Sequence, residues 1–209
     1  MAQSPSGINI DLHVHTRRYS PCAELVDEGQ IARFALQAGL SGVVITDHDV
    51  LWSRDEIERL GALNPELAIF RGVECSTAEG HAVVIGLEDL ATIRKGARIA
   101  SIAHIARAQG AAVILAHPYR DADPEGIAPE LLDAIEVGST SFSHAEADRS
   151  VALARRLGLP TVASSDAHAL SRIGWAWTRF PRLPRDSTDL AAMIRSGAGT
   201  PVIPRPFPS

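Results

Sequence analysis

The constraint that most limits the fold is where the polar residues fall against the apolar runs. Seven short stretches rich in β-branched and apolar residues read as strands: 8–15, 42–48, 67–74, 82–87, 111–117, 134–137 and 160–165. Most of them finish at a histidine or a carboxylate, among them His13 and His15, His48, Glu74, His117, and the pair Asp166 and His168. Between most of the strands lie stretches of helical period. Ile31, Phe34, Ala35 and Ala38 follow that period and stop at Gly39. Ser53 with Glu56 and Ser143 with Glu146 are capping boxes, the second opening a helix that stops at Gly158. Further helices are expected at about 97–109 and 189–195. This alternation predicts an α/β fold with a mainly parallel sheet covered by helices. Polar groups at the C-terminal tips of many strands favour a closed barrel over an open sheet, which would gather them at one switch point. Residues 67–74 and 82–87 are too close in sequence for a helix between them, so the βα repeat must break there.

Composition narrows the class further. With 209 residues, 45% of them hydrophobic and 22% charged, and a mean hydropathy of +0.04, the chain is expected to fold as one globular domain over 1–209, ending in a proline-rich tail at about 199–209. Twenty Lys and Arg against 25 Asp and Glu give a net charge of −5, which removes the general electrostatic pull toward nucleic acid. Bound divalent metals would make one site locally more positive than that balance implies. The two cysteines, Cys22 and Cys75, form no Cys-x-x-Cys pair. A disulfide scaffold and a thiolate zinc finger are thereby excluded, and a reducing compartment is expected. The chain has no apolar stretch of the ~18 to 20 residues a membrane span needs and no leader-like start, so a cytoplasmic location without membrane attachment is expected.

The strand tips carry the chemistry. Alternate residues of a strand share a face, so Asp11, His13 and His15 are expected to point together into the barrel if Leu12 and Val14 face the helices. Two imidazoles on one face form a chelate, and three buried polar side chains in a row are costly without a strong partner. By the same parity His48 faces inward with Thr46 and Asp47 turns away. Asp11 and Asp47 are read as groups that brace the ligands. Five strand tips thus supply seven candidate ligands: His13, His15, His48, Glu74, His117, Asp166 and His168. Five imidazoles and two carboxylates suit zinc, manganese or iron, and more than one ion.

The motifs DLHVHT at 11–16, TDH at 46–48, GVE at 72–74, AHP at 116–118 and SDAH at 165–168 resemble, in order, those of the PHP (polymerase and histidinol phosphatase) domain family. The resemblance implies a distorted seven-stranded, TIM-like (βα)7 barrel with two or three divalent metals at its C-terminal mouth. It also implies that His13, His15, Glu74 and Asp166 hold one metal, Glu74 and His117 a second, and His48 and His168 a third. Two departures stand out. The loop Arg17, Arg18, Tyr19, Ser20, Pro21, Cys22, Ala23, Glu24 lacks the aspartate that many relatives place there, leaving Glu24 as a substitute. On the fourth strand the chain offers His81 at the start and Glu88 after the end; a tight return from Glu74 would keep His81 near the mouth, as a ligand or a phosphate contact.

Arg17, Arg18, Arg120 and Arg172 each follow a mouth motif and are candidate phosphate contacts, with ordinary surface arginines as the alternative. His104 and His144 read as helix residues, and Trp52 either stacks on a base or packs its loop. The expected function is that of a metal-dependent phosphoric ester hydrolase, acting on a phosphate monoester (a small phosphorylated metabolite or nucleotide) or on a terminal phosphodiester at a nucleic-acid end. Attack would come from a metal-bound hydroxide, with Glu74 bridging metals and His48 or His168 passing a proton to the leaving group. A metal-dependent amidohydrolase and a non-catalytic metal-binding regulatory module are the alternatives. The forty or so residues between GVE and AHP leave no room for a large insertion, so an open mouth is expected.

Overall fold

The computed structural model describes residues 7–90 and 93–204. It contains strands β1 (Ile8–Val14), β2 (Gly42–Ile45), β3 (Ala68–Thr77), β4 (Gly80–Ile85), β5 (Ala112–Ala116), β6 (Ala134–Glu136), β7 (Thr161–Val162), β8 (Trp177–Phe180) and β9 (Thr200–Val202). Helices α1 (Ile31–Gln37), α2 (Arg54–Ala62), α3 (Ile99–Gln109), α4 (His144–Leu157) and α5 (Ser187–Arg195) complete it. Both capping boxes form: Ser53 caps α2 with Glu56, and Ser143 caps α4 with Glu146. Gly39 and Gly158 take positive φ of 76° and 68° where α1 and α4 stop, a region open to glycine at little cost.

The strands form one sheet in the order β7-β6-β5-β4-β3-β2-β1-β8-β9. The sheet curls until the chain after β7 meets β1: His15 N–H donates to the Ala167 carbonyl at 3.2 Å, and Ala167 N–H to that of His13 at 3.3 Å. The result is a nearly closed, barrel-like α/β sheet, as expected. Its pairing departs from the expectation of a mainly parallel barrel of seven strands. β3, β4 and β5 pair antiparallel, the hairpin between β3 and β4 setting Ser76 opposite His81. β8 and β9 are two further strands, and β8 runs antiparallel to β1. The start of the proline-rich tail is part of the sheet: Pro201 in β9, an edge strand, pairs with Thr178 of β8, and at an edge a missing N–H is tolerated. Residues 205–209 of the expected tail lie outside the described residues.

The barrel interior is filled by Ile10 and Leu12, Val44, Phe70, Val83 and Ile85, Ile114, Val162 and Phe180, closed at one end by Leu190, Ala191, Met193 and Ile194 of α5. Outside the sheet, α1 and α2 pack on Val14, Val43 and Ile45, and α3 and α4 on Val73, Val113, Leu115 and Ile135. Leu12 therefore faces the interior while Val14 faces α1. The strict alternation expected for β1 breaks at the register shift between Asp11 and Val14. Asp11 is consequently not on the face of His13 and His15. Its carboxylate instead accepts the backbone N–H of Ser165 at 2.8 Å and of Gly174 at 3.0 Å, bracing the chain that closes the barrel. Burial, opposed by these hydrogen bonds, raises its pKa to about 6.

Candidate metal centre

β1, β3 and the turn after β7 bring four donors together: Nε2 of His13 and of His15, Oε2 of Glu74 and Oδ1 of Asp166. All four residues are buried. The His13 and His15 nitrogens are 3.0 Å apart. Each of them lies 3.2 or 3.3 Å from Glu74 Oε2 and from Asp166 Oδ1. Bonds of about 2.0 Å to a tetrahedral ion put its ligands about 3.3 Å apart, and these five donor pairs match five of the six edges of such a tetrahedron.

Two further groups adjoin the first. Glu74 turns its other oxygen, Oε1, toward Nδ1 of His81 and Nε2 of His117, each at 2.9 Å. Ring nitrogens of His15, His48 and His168 form a third group of mutually close donors, and His48 Nδ1 lies 2.9 Å from Glu74 Oε2. Glu74 therefore stands between all of them, as a bridging carboxylate would. The tight return after β3 is what places His81 here.

Backbone strain accompanies the placement. His117 and Asp166 have φ of 25° and 51°, a region that non-glycine residues occupy rarely and at a cost. Asp47 accepts from Thr16 N–H at 2.7 Å, Thr16 Oγ1 at 2.6 Å, Ser20 Oγ at 2.6 Å and the Trp52 indole at 2.7 Å. Ser20 Oγ in turn is 3.3 Å from Nδ1 of His15. Asp47 thus braces His15 through one hydroxyl, and Trp52, 3% exposed, is a packing residue and not a free stacking face.

Electrostatics follow from the crowding. Burial resists charging of His13, yet Glu74 and Asp166 hold its pKa well above the ordinary imidazole value. Burial likewise penalises ionised Glu74 and Asp166, but His13 and its neighbours keep both carboxyls well below their usual range. His168 is pushed down by burial and by His15.

The fit to a cation is visible in one atom. Glu74 Oε2, fully buried, has no aligned hydrogen-bond donor, although nitrogens of His13, His15 and His48 stand 2.9 to 3.3 Å from it. Buried carboxylate oxygens are normally satisfied. Three ring nitrogens converging on a buried carboxylate oxygen that none of them bonds are what a divalent ion requires, so the residues present fit one.

Other candidates fall elsewhere. Glu24 is exposed and joins none of the donor groups among the described residues, which corrects its reading as a substitute ligand. Glu88 pairs with Arg54 on the surface. Arg17 lies 3.0 Å from Asp27, and Arg18 lies 2.8 Å from Glu56. Arg172 is exposed. Arg120 alone of the four arginines contacts a candidate ligand, its Nη1 standing 3.3 Å from Asp166 Oδ2. His104 and His144 are exposed helix residues, as expected. Sequence reasoning missed Asp121, whose Oδ2 is 3.8 Å from His117 Nδ1, and Ser141, which donates to Asp166. It also missed Glu136, buried behind His13, although this residue, like Glu74, is a lone carboxylate in an apolar run.

Comparison with known proteins agrees with this geometry. A family model described as PHP-associated matches residues 145–198. A Bifidobacterium adolescentis protein assigned as a metal-dependent phosphoesterase superposes with a TM-score of 0.63 at 15% identity, over 80% of this chain and 90% of its own. An amidohydrolase from Chromobacterium violaceum gives 0.61 at 18%, over 77% and 88%. The lesion-specific endonuclease Q of Pyrococcus furiosus gives 0.63 at 18%, over 94% of this chain but 57% of its own. No curated protein matches the sequence. Fold and site together define an α/β barrel with a histidine and carboxylate cluster at its mouth. The PHP-associated match over residues 145–198 agrees with the resemblance of the sequence motifs to the PHP domain family.

Proposed function

We propose that the chain is a metal-dependent phosphoesterase. The observation that carries this is the division of Glu74, one oxygen toward His13, His15 and Asp166 and the other toward His81 and His117. Such a carboxylate would hold two cations, and divalent ions bound there would supply Lewis acidity for the phosphoryl oxygens and lower the pKa of water. His13, His15, Glu74 and Asp166 would hold one ion, Glu74, His81 and His117 a second, and His15, His48 and His168 would form a third position. Zinc, manganese and iron suit these donors.

The remaining residues bind substrate and move protons. Arg120, its side chain 40% exposed beside Asp166, offers bidentate bonds to a phosphoryl oxygen, which narrows the four arginine candidates to one. His48, His81 and His168 keep side-chain exposures of 26%, 23% and 31%, so the mouth is open to a small phosphate monoester or to a flexible nucleic-acid end. Nδ1 of His168 lies 3.0 Å from the Asp166 carbonyl and donates to it, leaving Nε2 as an acceptor. That arrangement suits His168 as a ligand or base and, where no ion takes the third position, leaves His48 as the donor to a leaving group.

A second reading has its own support, since an amidohydrolase shares the fold. A substrate panel separates the two. Zn²⁺- or Mn²⁺-loaded protein is assayed on p-nitrophenyl phosphate, nucleoside monophosphates, bis-p-nitrophenyl phosphate, end-phosphorylated oligonucleotides, amides and lactones. Phosphoester hydrolysis that is lost in Asp166→Ala is expected. Hydrolysis of an amide or lactone with every phosphoester untouched would replace the proposal by the amidohydrolase reading, and metal binding without any hydrolysis by a binding module.

A further inference from the structure

Glu136 ends β6 with 1% of its surface exposed, and among the described residues its one ion-pair partner is an imidazole, that of His13. A buried carboxylate without a Lys or Arg is expensive, so it needs a strong reason to be there. Its contacts supply one. Oε1 accepts from Ser164 Oγ and lies 3.4 Å from Nδ1 of His13. Oε2 accepts the backbone N–H of His117 at 2.8 Å.

His13 and His117 belong to the two donor groups that meet at Glu74, His13 Nε2 lying 3.3 Å from Oε2 and His117 Nε2 2.9 Å from Oε1. The four residues therefore form a closed ring. Glu74 joins the two histidines at the front, and Glu136 joins them at the back, one through its ring and the other through its main chain. We propose that Glu136 is a positioning residue that aims both histidines at their ions. An Nδ1–H on His13 donating to Glu136 leaves the Nε2 lone pair facing His15, Glu74 and Asp166. The bond to His117 N–H holds that residue at its φ of 25°, from which its ring reaches Glu74. A carboxylate on the far nitrogen also makes the imidazole a stronger donor to a metal.

This inference rests on the cluster being a metal centre and not on which ester it cleaves. The test is Zn²⁺ affinity, measured by competition with a chelating dye without substrate, together with the His13 Nδ1–H proton resonance of Zn²⁺-loaded protein. In Glu136→Gln the amide can still accept from His117 N–H but offers N–H to His13, so the two donors oppose each other. A loss of 10- to 100-fold in Zn²⁺ affinity is expected, the range usual for partners of metal-bound histidines, with the downfield, slowly exchanging Nδ1–H signal shifted upfield. Glu136→Asp, which restores the charge, recovers part of the affinity. Ser164→Ala, which removes only a hydroxyl, stays within about threefold of the wild type. If Glu136→Gln fails to fold in EDTA, the Asp variant and the wild-type signal decide. Wild-type Zn²⁺ affinity in Glu136→Gln, or a His13 Nδ1–H exchanging as freely as that of an exposed histidine in the wild type, overturns the proposal. Wild-type protein that binds Zn²⁺ tightly but cleaves no phosphoester would sink the phosphoesterase reading and leave this one standing.

Discussion

The two ends of the barrel interior solve the same problem with opposite chemistry. At the α5 end the space within the sheet is filled by Leu190, Ala191, Met193 and Ile194 against Ile10, Val83, Ile85 and Phe180. These side chains are satisfied by contact alone, since apolar burial is favourable wherever the packing closes. At the mouth the same sheet encloses His13, His15, Glu74 and Asp166, all fully or almost fully buried. Ring nitrogens there face one another at 3.0 Å, one carboxylate oxygen lacks a donor, and two residues sit in unfavourable backbone conformations. The apolar end is complete as it stands, whereas the mouth, on the function proposed above, is completed by cations. On that reading stability belongs to one end and chemistry to the other.

That contrast breaks most sharply at Asp166. Replacing it by Ala removes one of four donors, and the loss of metal-dependent hydrolysis should exceed the hundredfold that outer partners of a metal site already command. The thermal midpoint in EDTA should fall by far less than the activity, and a variant that unfolds instead would show that the mouth also carries stability. Leu190→Ala tests the other end. A fully buried leucine cut to alanine should cost about 2 to 5 kcal/mol of stability, read by urea unfolding, while metal bound per folded chain stays at the wild-type value. A fall in metal content would tie the two ends together.

Smaller effects sharpen the comparison within the mouth. Arg120→Ala should raise KM for a phosphoester about tenfold, near 1.4 kcal/mol, with kcat changed only a few-fold; a collapse of kcat at unchanged KM would place the residue in the chemistry itself. The smallest effect lies beside the mouth, in the cap of α2. Hydrogen bonds from Ser53 lower the pKa of Glu56 to about 2. A depressed carboxylate stabilises the fold above its ordinary pKa and loses that contribution as pH falls through the depressed value. Glu56→Gln should therefore cost about 1 kcal/mol or less at pH 7, and the gap to the wild type should close toward pH 2. A gap that persists in acid would locate the effect in packing and not in charge.

Much of this was legible in the residues because each signal was local. The capping boxes at Ser53 and Ser143, the glycine stops at Gly39 and Gly158, and the seven ligand candidates all follow from short spacings that the fold respects. What escaped depends on pairing between distant segments. β8 and β9 are short and lie beside or contain prolines, and it is pairing with β1 on one side and β9 on the other that makes Trp177–Phe180 a strand. The face on which Asp11 lies was misjudged because a register shift in β1 breaks a period that sequence presents as regular. Glu24 read as a ligand on loop position alone and proved exposed. Glu136 carried the same signal as Glu74, a lone carboxylate in an apolar run, but its place appears only once His13 is seen on one of its oxygens and His117 on the other.

The most direct measurement is crystallography of Zn²⁺-loaded protein with anomalous data at the zinc edge. An anomalous peak about 2.0 to 2.2 Å from Nε2 of His13, Nε2 of His15, Oε2 of Glu74 and Oδ1 of Asp166 is the predicted result. A loaded crystal whose zinc lies away from these four atoms, or that holds none, would contradict the account at its centre.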